Sequence, residues 1–424
     1  MKLNTIIVFL LILFTQSEAA VYFVSTTGND KNPGDFNSPW FSWQKGFSSL
    51  KAGDTLYIRG GIYFSTGLQG GGYYQAVYIS GRHGTKEKSY NVIAYQEEVP
   101  VLDLSNITGP DRRFGINLVN CRYWYLKGLT VRNLKAYGPG LNSGFRNNNC
   151  SNITFDRCVS HNNDGAGFAQ SDGGNNNHYI NCDAHGNYDP LNGGEAGDGF
   201  IFGLNRDQTV VTICRGCRSW NNSDDGFDTY GNDGTVKYYS CWAFNNGYGP
   251  HGDGAGFKLG INHMKPLKTP QKILVNCLAF GNKGIGFDLS EGDIQVLIFN
   301  RTAYNNLVGF IINKACQHTS MVRNNISFNN THSNSIKARI IQDHNSWNSH
   351  NKVSEADFLN ISDEGMTKQR KDDGSLPETD FLKLAPCSRL IDAGIDLGIR
   401  FNGKAPDLGA FESDHEAKAN SRYR

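Results

Sequence analysis

The sequence predicts an all-β solenoid: a single-stranded parallel β-helix with an N-terminal cap and a C-terminal segment packed on it. Three observations carry this: a composition poor in helix formers, a repeat of 24 residues, and columns of one residue type within the repeat. Gly is 49 of 424 residues, aromatics are 12 % and charged residues only 19 %, so the Ala/Leu/Glu/Lys mixture of helical proteins is missing. A hydrophobic content of 38 % supplies a core and argues against disorder. Lys plus Arg is 41 against 40 acidic residues, which leaves no basic field for nucleic acid.

The repeat starts at Cys158, Cys182, Cys217, Cys241, Cys277, Arg301 and Asn325, at intervals of 24, 35, 24, 36, 24 and 24 residues. Five positions after each start stands Asn163, Asn187, Asn222, Asn246, Asn282, Asn306 or Asn330. A Gly-Phe pair follows at Gly167-Phe168, Gly199-Phe200, Gly226-Phe227, Gly256-Phe257, Gly286-Phe287 and Gly309-Phe310. One coil per repeat would stack equivalent residues about 4.8 Å apart. The asparagines are expected to take the left-handed conformation of a tight turn and to hydrogen-bond from coil to coil. The cysteines are expected to be an inward-facing ladder of reduced thiols. Cys214 and Cys217 have a zinc-type spacing, but no second pair exists to complete a site.

The ends differ from the middle. Lys2, an apolar run over residues 6–14 and small residues before Ala19 predict a secretory signal over residues 1–19. That run is too short to cross a bilayer, so no membrane partner is expected. Residues 20–115 should form the cap and first coils. There Trp43, Phe47 and Leu50, at i, i+4 and i+7, predict a short amphipathic helix, and residues 54–59 start the strands. Residues 116–349 form the core. Residues 350–424 are the packing segment, with a polar connection over residues 365–378, a hydrophobic return over 381–411 and a disordered tail.

Registering coils on Gly-Phe turns sequence into geometry. Two residues before each Phe stand Ala166, Asp198, Asp225, Ala255, Ile285 and Val308; just after it stand Ala169, Ile201, Asp228, Lys258, Asp288 and Ile311. Charge enters these apolar columns only on central coils, which is where function is expected. Asp198, Asp224, Asp225 and Asp228 on adjacent coils would repel one another unless a cation compensates, and Ca²⁺ accepts such carboxylate clusters. Lys258 follows Asp228 one coil on. Additional residues at 187–197, 248–253 and 261–271 border these coils as the walls of a groove would.

Such a groove suits a long acidic polysaccharide. A cation on a uronate carboxylate acidifies the C5 proton, a base removes it, and the 4-O-glycosidic bond is expelled. Lys258 can be that base only when neutral: a nearby divalent cation lowers its pKa, whereas Asp228 and Asp288 raise it. His251, in the adjoining loop, is the next candidate.

Asp198-Gly199-Phe200, Asp224-Asp225-Gly226-Phe227-Asp228 and Gly256-Phe257-Lys258 resemble polysaccharide lyase family 9, over roughly residues 120–330. The resemblance implies a right-handed β-helix and a secreted pectic lyase. It also implies a Ca²⁺ site of Asp198, Asp224, Asp225 and Asp228, with Lys258 as Brønsted base. The expected partner is an acidic plant cell-wall polysaccharide, homogalacturonan or rhamnogalacturonan I, met by a monomer. The rival readings are a polygalacturonase-type hydrolase, a C5-epimerase and a non-catalytic glycan-binding β-helix. The hydrolase would require a Gly-His-Gly and an Arg-x-Lys; here His251 sits in Gly249-Pro250-His251-Gly252, and Phe257-Lys258 has no such Arg.

Overall fold

The computed structural model describes residues 18–413, apart from residues 110–111, 139, 204, 206, 261–270, 290–291, 293, 315–319, 338–339 and 349–351. The expected secretory signal lies outside the described residues except for its last two positions, and the expected disordered tail lies outside them entirely.

Among the described residues, three long sheets of 12, 10 and 11 strands run the length of the molecule, and each strand pairs with its counterpart on the next coil. Within these sheets, pairing among the described residues is parallel, except where Leu68–Gly70 folds back on Tyr73–Ser80. The first sheet begins at Val21–Val24 and ends at Ile341–Asp343, so the coils run without interruption from the cap through the core. The helix Trp43–Ser49 closes the first coil, with Ser42 Oγ accepting from Lys45 N at 3.2 Å. Its apolar face of Trp43 and Phe47, continued by Leu50, is buried as the spacing predicts.

Inside, the columns become ladders. Phe145, Phe168, Phe200, Phe227, Phe257, Phe287 and Phe310 stack with ring centroids 4.8–5.1 Å apart. Asn163 Nδ2 donates to Asn187 Oδ1 at 3.0 Å, and the same bond repeats through Asn222, Asn246, Asn282 and Asn306 to Asn330 at 2.9–3.1 Å. Glycine precedes each Phe because no side chain fits there. A Cβ on Gly226 would lie 2.6 Å from Gly256 O and 2.9 Å from Asn246 Nδ2.

The left-handed turn belongs to a different column from the one expected. The residues before the ladder asparagines adopt it: Asn162, Asn221, Asn245, Asn305 and Asn329 at φ of 51–55°, with Gly186 and Gly281 completing the series. The ladder asparagines themselves spend both amide groups on neighbouring coils. Cys158, Cys182, Cys217, Cys241 and Cys277 are buried free thiols, as are Cys214, Cys121 and Cys150; Cys316 lies outside the described residues.

The C-terminal segment covers the outer face of the second sheet. Phe381, Leu382, Leu384, Leu390 and Leu408 pack on Trp220, Trp242, Phe244, Phe280 and Ile326. The connection over residues 365–378 is more than a polar tether. Met366 is buried, and Arg370 Nη2 reaches Asp183 Oδ1 at 2.6 Å.

Candidate active site

The outer face of the third sheet stays open, and on it the charged column forms in the expected register. Ile201 pairs with Asp228, Asp228 with Lys258, Lys258 with Asp288, and Asp288 with Ile311. Asp198 and Asp225 precede the strands Phe200–Phe202 and Phe227–Asp228 by two residues and lie on successive coils, since Gly199 N donates to Asp225 O at 3.0 Å.

All four sequence-predicted carboxylates are at most 5 % exposed. Asp198, Asp225 and Asp228 each offer an oxygen within 4.8 Å of the others. Asp224 joins a second, overlapping group with Asp225 and Asp253. The backbone orients them. Asp225 N donates to Asp198 Oδ1 (3.3 Å), Ala255 N to Asp225 Oδ1 (2.6 Å), Asp253 N to Asp224 Oδ1 (2.7 Å) and Tyr230 N to Asp228 Oδ1 (2.7 Å). Each of these bonds occupies one carboxylate oxygen. Asp225 Oδ2 is buried and accepts no hydrogen bond from the described residues; the Lys258 ammonium faces it at 3.1 Å.

The electrostatics follow from crowding. Burial pushes the Asp198 carboxyl well above its ordinary range, and Asp224, Asp228 and Asp225 push it further. Burial likewise raises Asp225 and Asp228, and raises Asp224 to about 7. Burial works against a charged Lys258, but Asp225, Asp228 and Asp253 outweigh it and hold the ammonium protonated. Among the described residues, Lys258, with Lys272 acting on Asp228, supplies too little positive charge to balance this many buried carboxylates. A hard divalent cation among them would supply the missing charge and meet an oxygen-only donor set, so the residues fit calcium.

Asp253 is the site residue that the column reading missed. Its Oδ2 lies 2.6 Å from Lys258 Nζ. It sits at the end of the 248–253 insertion, which sequence had marked only as a wall. That insertion meets the one at 187–197: His251 N donates to Gly193 O at 3.1 Å, and His251 Nδ1 lies 3.2 Å from Asn192 O. His251 is thus tied into the wall, whereas the partners of Lys258 are Asp225 and Asp253. Of the third insertion, residues 261–270 lie outside the described residues. A groove of about 330 Å³ opens beside Lys258, lined by Tyr230, Asp253, Ile285, Asp288 and Leu307 among others.

Residues 22–348 match the family model of the Pel9A-like right-handed β-helix region. The chain belongs to this family. It is 33 % identical over 412 residues to pectate lyase L of Dickeya chrysanthemi, covering 93 % of this chain and 91 % of that one. The crystal structure of pectate lyase Pel9A superimposes with a TM-score of 0.78 at 29 % identity, covering 94 % of this chain and 97 % of that one. A rhamnogalacturonan lyase structure gives 0.76 at 28 %, covering 87 % and 97 %. The coils are therefore right-handed, and this Pel9A-like chain is a polysaccharide lyase.

Proposed function

We propose that the protein is a secreted, calcium-dependent pectic lyase that cleaves a galacturonic-acid-containing backbone, homogalacturonan or rhamnogalacturonan I, by β-elimination. The observation that carries this is Lys258: a lysine flanked in its column by Asp228 and Asp288, at the mouth of a groove, against a cluster of buried carboxylates. Asp198, Asp224, Asp225 and Asp228 would hold the calcium. Bound there, calcium supplies positive charge that neutralises the carboxylates and acidifies the C5 proton of a uronate in the groove.

The chain's own residues do the rest. Lys258 Nζ, in its neutral form, accepts the C5 proton. The C5–H electrons form the C4=C5 double bond, the C4–O4 bond breaks, and the departing oxygen takes up a proton. Asp253, exposed at the rim, holds the Lys258 ammonium together with the buried Asp225.

Polygalacturonate and rhamnogalacturonan I digested side by side with added calcium should yield an ultraviolet-absorbing unsaturated product from at least one. Reducing ends without that absorbance would mean hydrolysis. Undiminished release in chelator would remove calcium from the reading.

A further inference from the structure

We propose that Tyr248, backed by Tyr188, forms a second sugar-binding site: an aromatic platform for a pyranose ring of the polysaccharide chain as it leaves the groove. The identity of that chain rests on the pectic-lyase reading above.

The two tyrosines come from separate insertions, residues 187–197 and 248–253, and meet across the coil between them. Their rings are near parallel, 15° apart with centroids at 5.8 Å. Tyr248 Oη donates to Asn187 O at 3.2 Å. The next residue is fixed as well: Gly249 N donates to Ser223 O at 3.0 Å, and Lys283 Nζ donates to Gly249 O at 3.0 Å. Yet Tyr248 remains 53 % exposed. A ring held by a stacked partner, its own hydroxyl and its flanking backbone, but left half in water, contributes little to the core. It is instead apolar surface whose ordering cost has already been met before a ligand arrives.

The fold does not require an aromatic there. In the other five coils of the ladder, the two residues after the asparagine are Asp164-Gly165, Ser223-Asp224, Lys283-Gly284, Leu307-Val308 and Thr331-His332. Tyrosine appears at this corner only on the two coils that carry insertions. The same loop, five residues on, places Asp253 at 2.6 Å from Lys258 Nζ, so the platform continues the catalytic wall. A pyranose presents a face of C–H groups that packs on an aromatic ring, so this site takes the ring rather than the carboxylate. Only a chain long enough to extend from Lys258 to Tyr248 gains from it.

The test compares kcat/KM on polymer with kcat/KM on the shortest oligosaccharide the wild type cleaves. Tyr248→Ala should lower the polymer-to-oligomer ratio about fivefold. Tyr248→Phe, which keeps the ring and loses the hydroxyl, should hold the ratio at its wild-type value. A ratio unmoved in the Ala variant overturns the platform, whether both substrates suffer alike or neither does. A ratio lost equally in Phe assigns the effect to the Asn187 hydrogen bond and also overturns it. A second readout needs no turnover. Retardation of Lys258→Ala in native gels containing polygalacturonate or rhamnogalacturonan I should weaken when Tyr248→Ala is added; unchanged retardation on both counts against the platform. Absence of unsaturated product from the wild type on either polymer would sink the catalytic reading, while the gels would still report on Tyr248.

Discussion

Two faces of the same solenoid bury aspartates, and they treat them in opposite ways. On the second sheet, Asp183 is surrounded by cations: Arg218 Nη2 at 2.7 Å and Arg370 Nη2 at 2.6 Å. Burial alone would raise its carboxyl, but Arg370 and Arg218 more than reverse that and hold it below the ordinary range. On the third sheet, Asp198, Asp225 and Asp228 are as deeply buried, and their carboxyls are driven up. The first face is closed by its own chain, through a segment 187 residues away in sequence. The second leaves its charge for something from outside to balance. Buried charge that the protein neutralises itself is architecture; buried charge that it leaves standing marks a site.

This contrast can be broken most severely at Lys258. Lys258→Ala should cut turnover by about 10²–10⁴-fold while polysaccharide binding persists. Lys258→Arg is sharper, because arginine can still pair with Asp225 and Asp253 but stays charged. Near-wild-type turnover of the Arg variant, at saturating substrate and calcium, would assign the base elsewhere.

Asp225→Ala comes next, with an expected loss in kcat/KM of about a hundredfold or more and of the calcium response. The two faces should then respond with opposite sign. In chelator, Asp225→Ala thins a cluster in which buried carboxylates outnumber the cations that face them, and should raise the melting temperature. Asp183→Ala strands Arg218 and Arg370, and should cost about 3–5 kcal/mol by denaturant titration. Equal and like-signed shifts for the two variants would abolish the distinction between the faces.

The smallest effect is a pH dependence on the closed face. His185 stacks between His161 and Trp220, at 4.8 and 4.3 Å, and burial lowers its pKa to about 4. Between about 6.5 and 4 the unfolded chain binds a proton there that the folded chain does not, so stability falls as pH falls through that window. The effect is at most roughly 3 kcal/mol. His185→Phe, matching Phe244 and Phe280 further along the column, should flatten that part of the stability–pH curve; an unchanged slope would place the titration elsewhere.

How far the sequence could be read follows from stacking. A solenoid projects a linear period directly onto space, so the Phe, Asn and Cys ladders, and the register of Asp228 with Lys258, were all legible as columns. The carboxylates stood out because their neighbours in the same columns are Ala, Ile and Val. Three features were hidden for physical reasons. Asparagine pairs such as Asn221-Asn222 and Asn305-Asn306 offer two candidates for one turn, and only coordinates show that the first bends while the second bonds. Asp253 lies in an insertion, which has no column to register against. The grip of Arg370 on Asp183 is a distant tertiary contact, invisible to any local pattern.

The asparagine ladder also has a direction. Each Oδ1 accepts from the coil before it, beginning with Leu134 N on Asn163 Oδ1 at 3.1 Å, while from Asn187 to Asn306 each amide donates both onward to the next asparagine and back to a carbonyl of the coil before, as Asn222 Nδ2 does to Ala184 O at 3.3 Å. A coil that has formed therefore displays a donor and a carbonyl toward its C-terminal side, and the next coil arrives carrying the matching oxygen and N–H. Growth at that end completes bonds one rung at a time, in the order in which a polypeptide is synthesised.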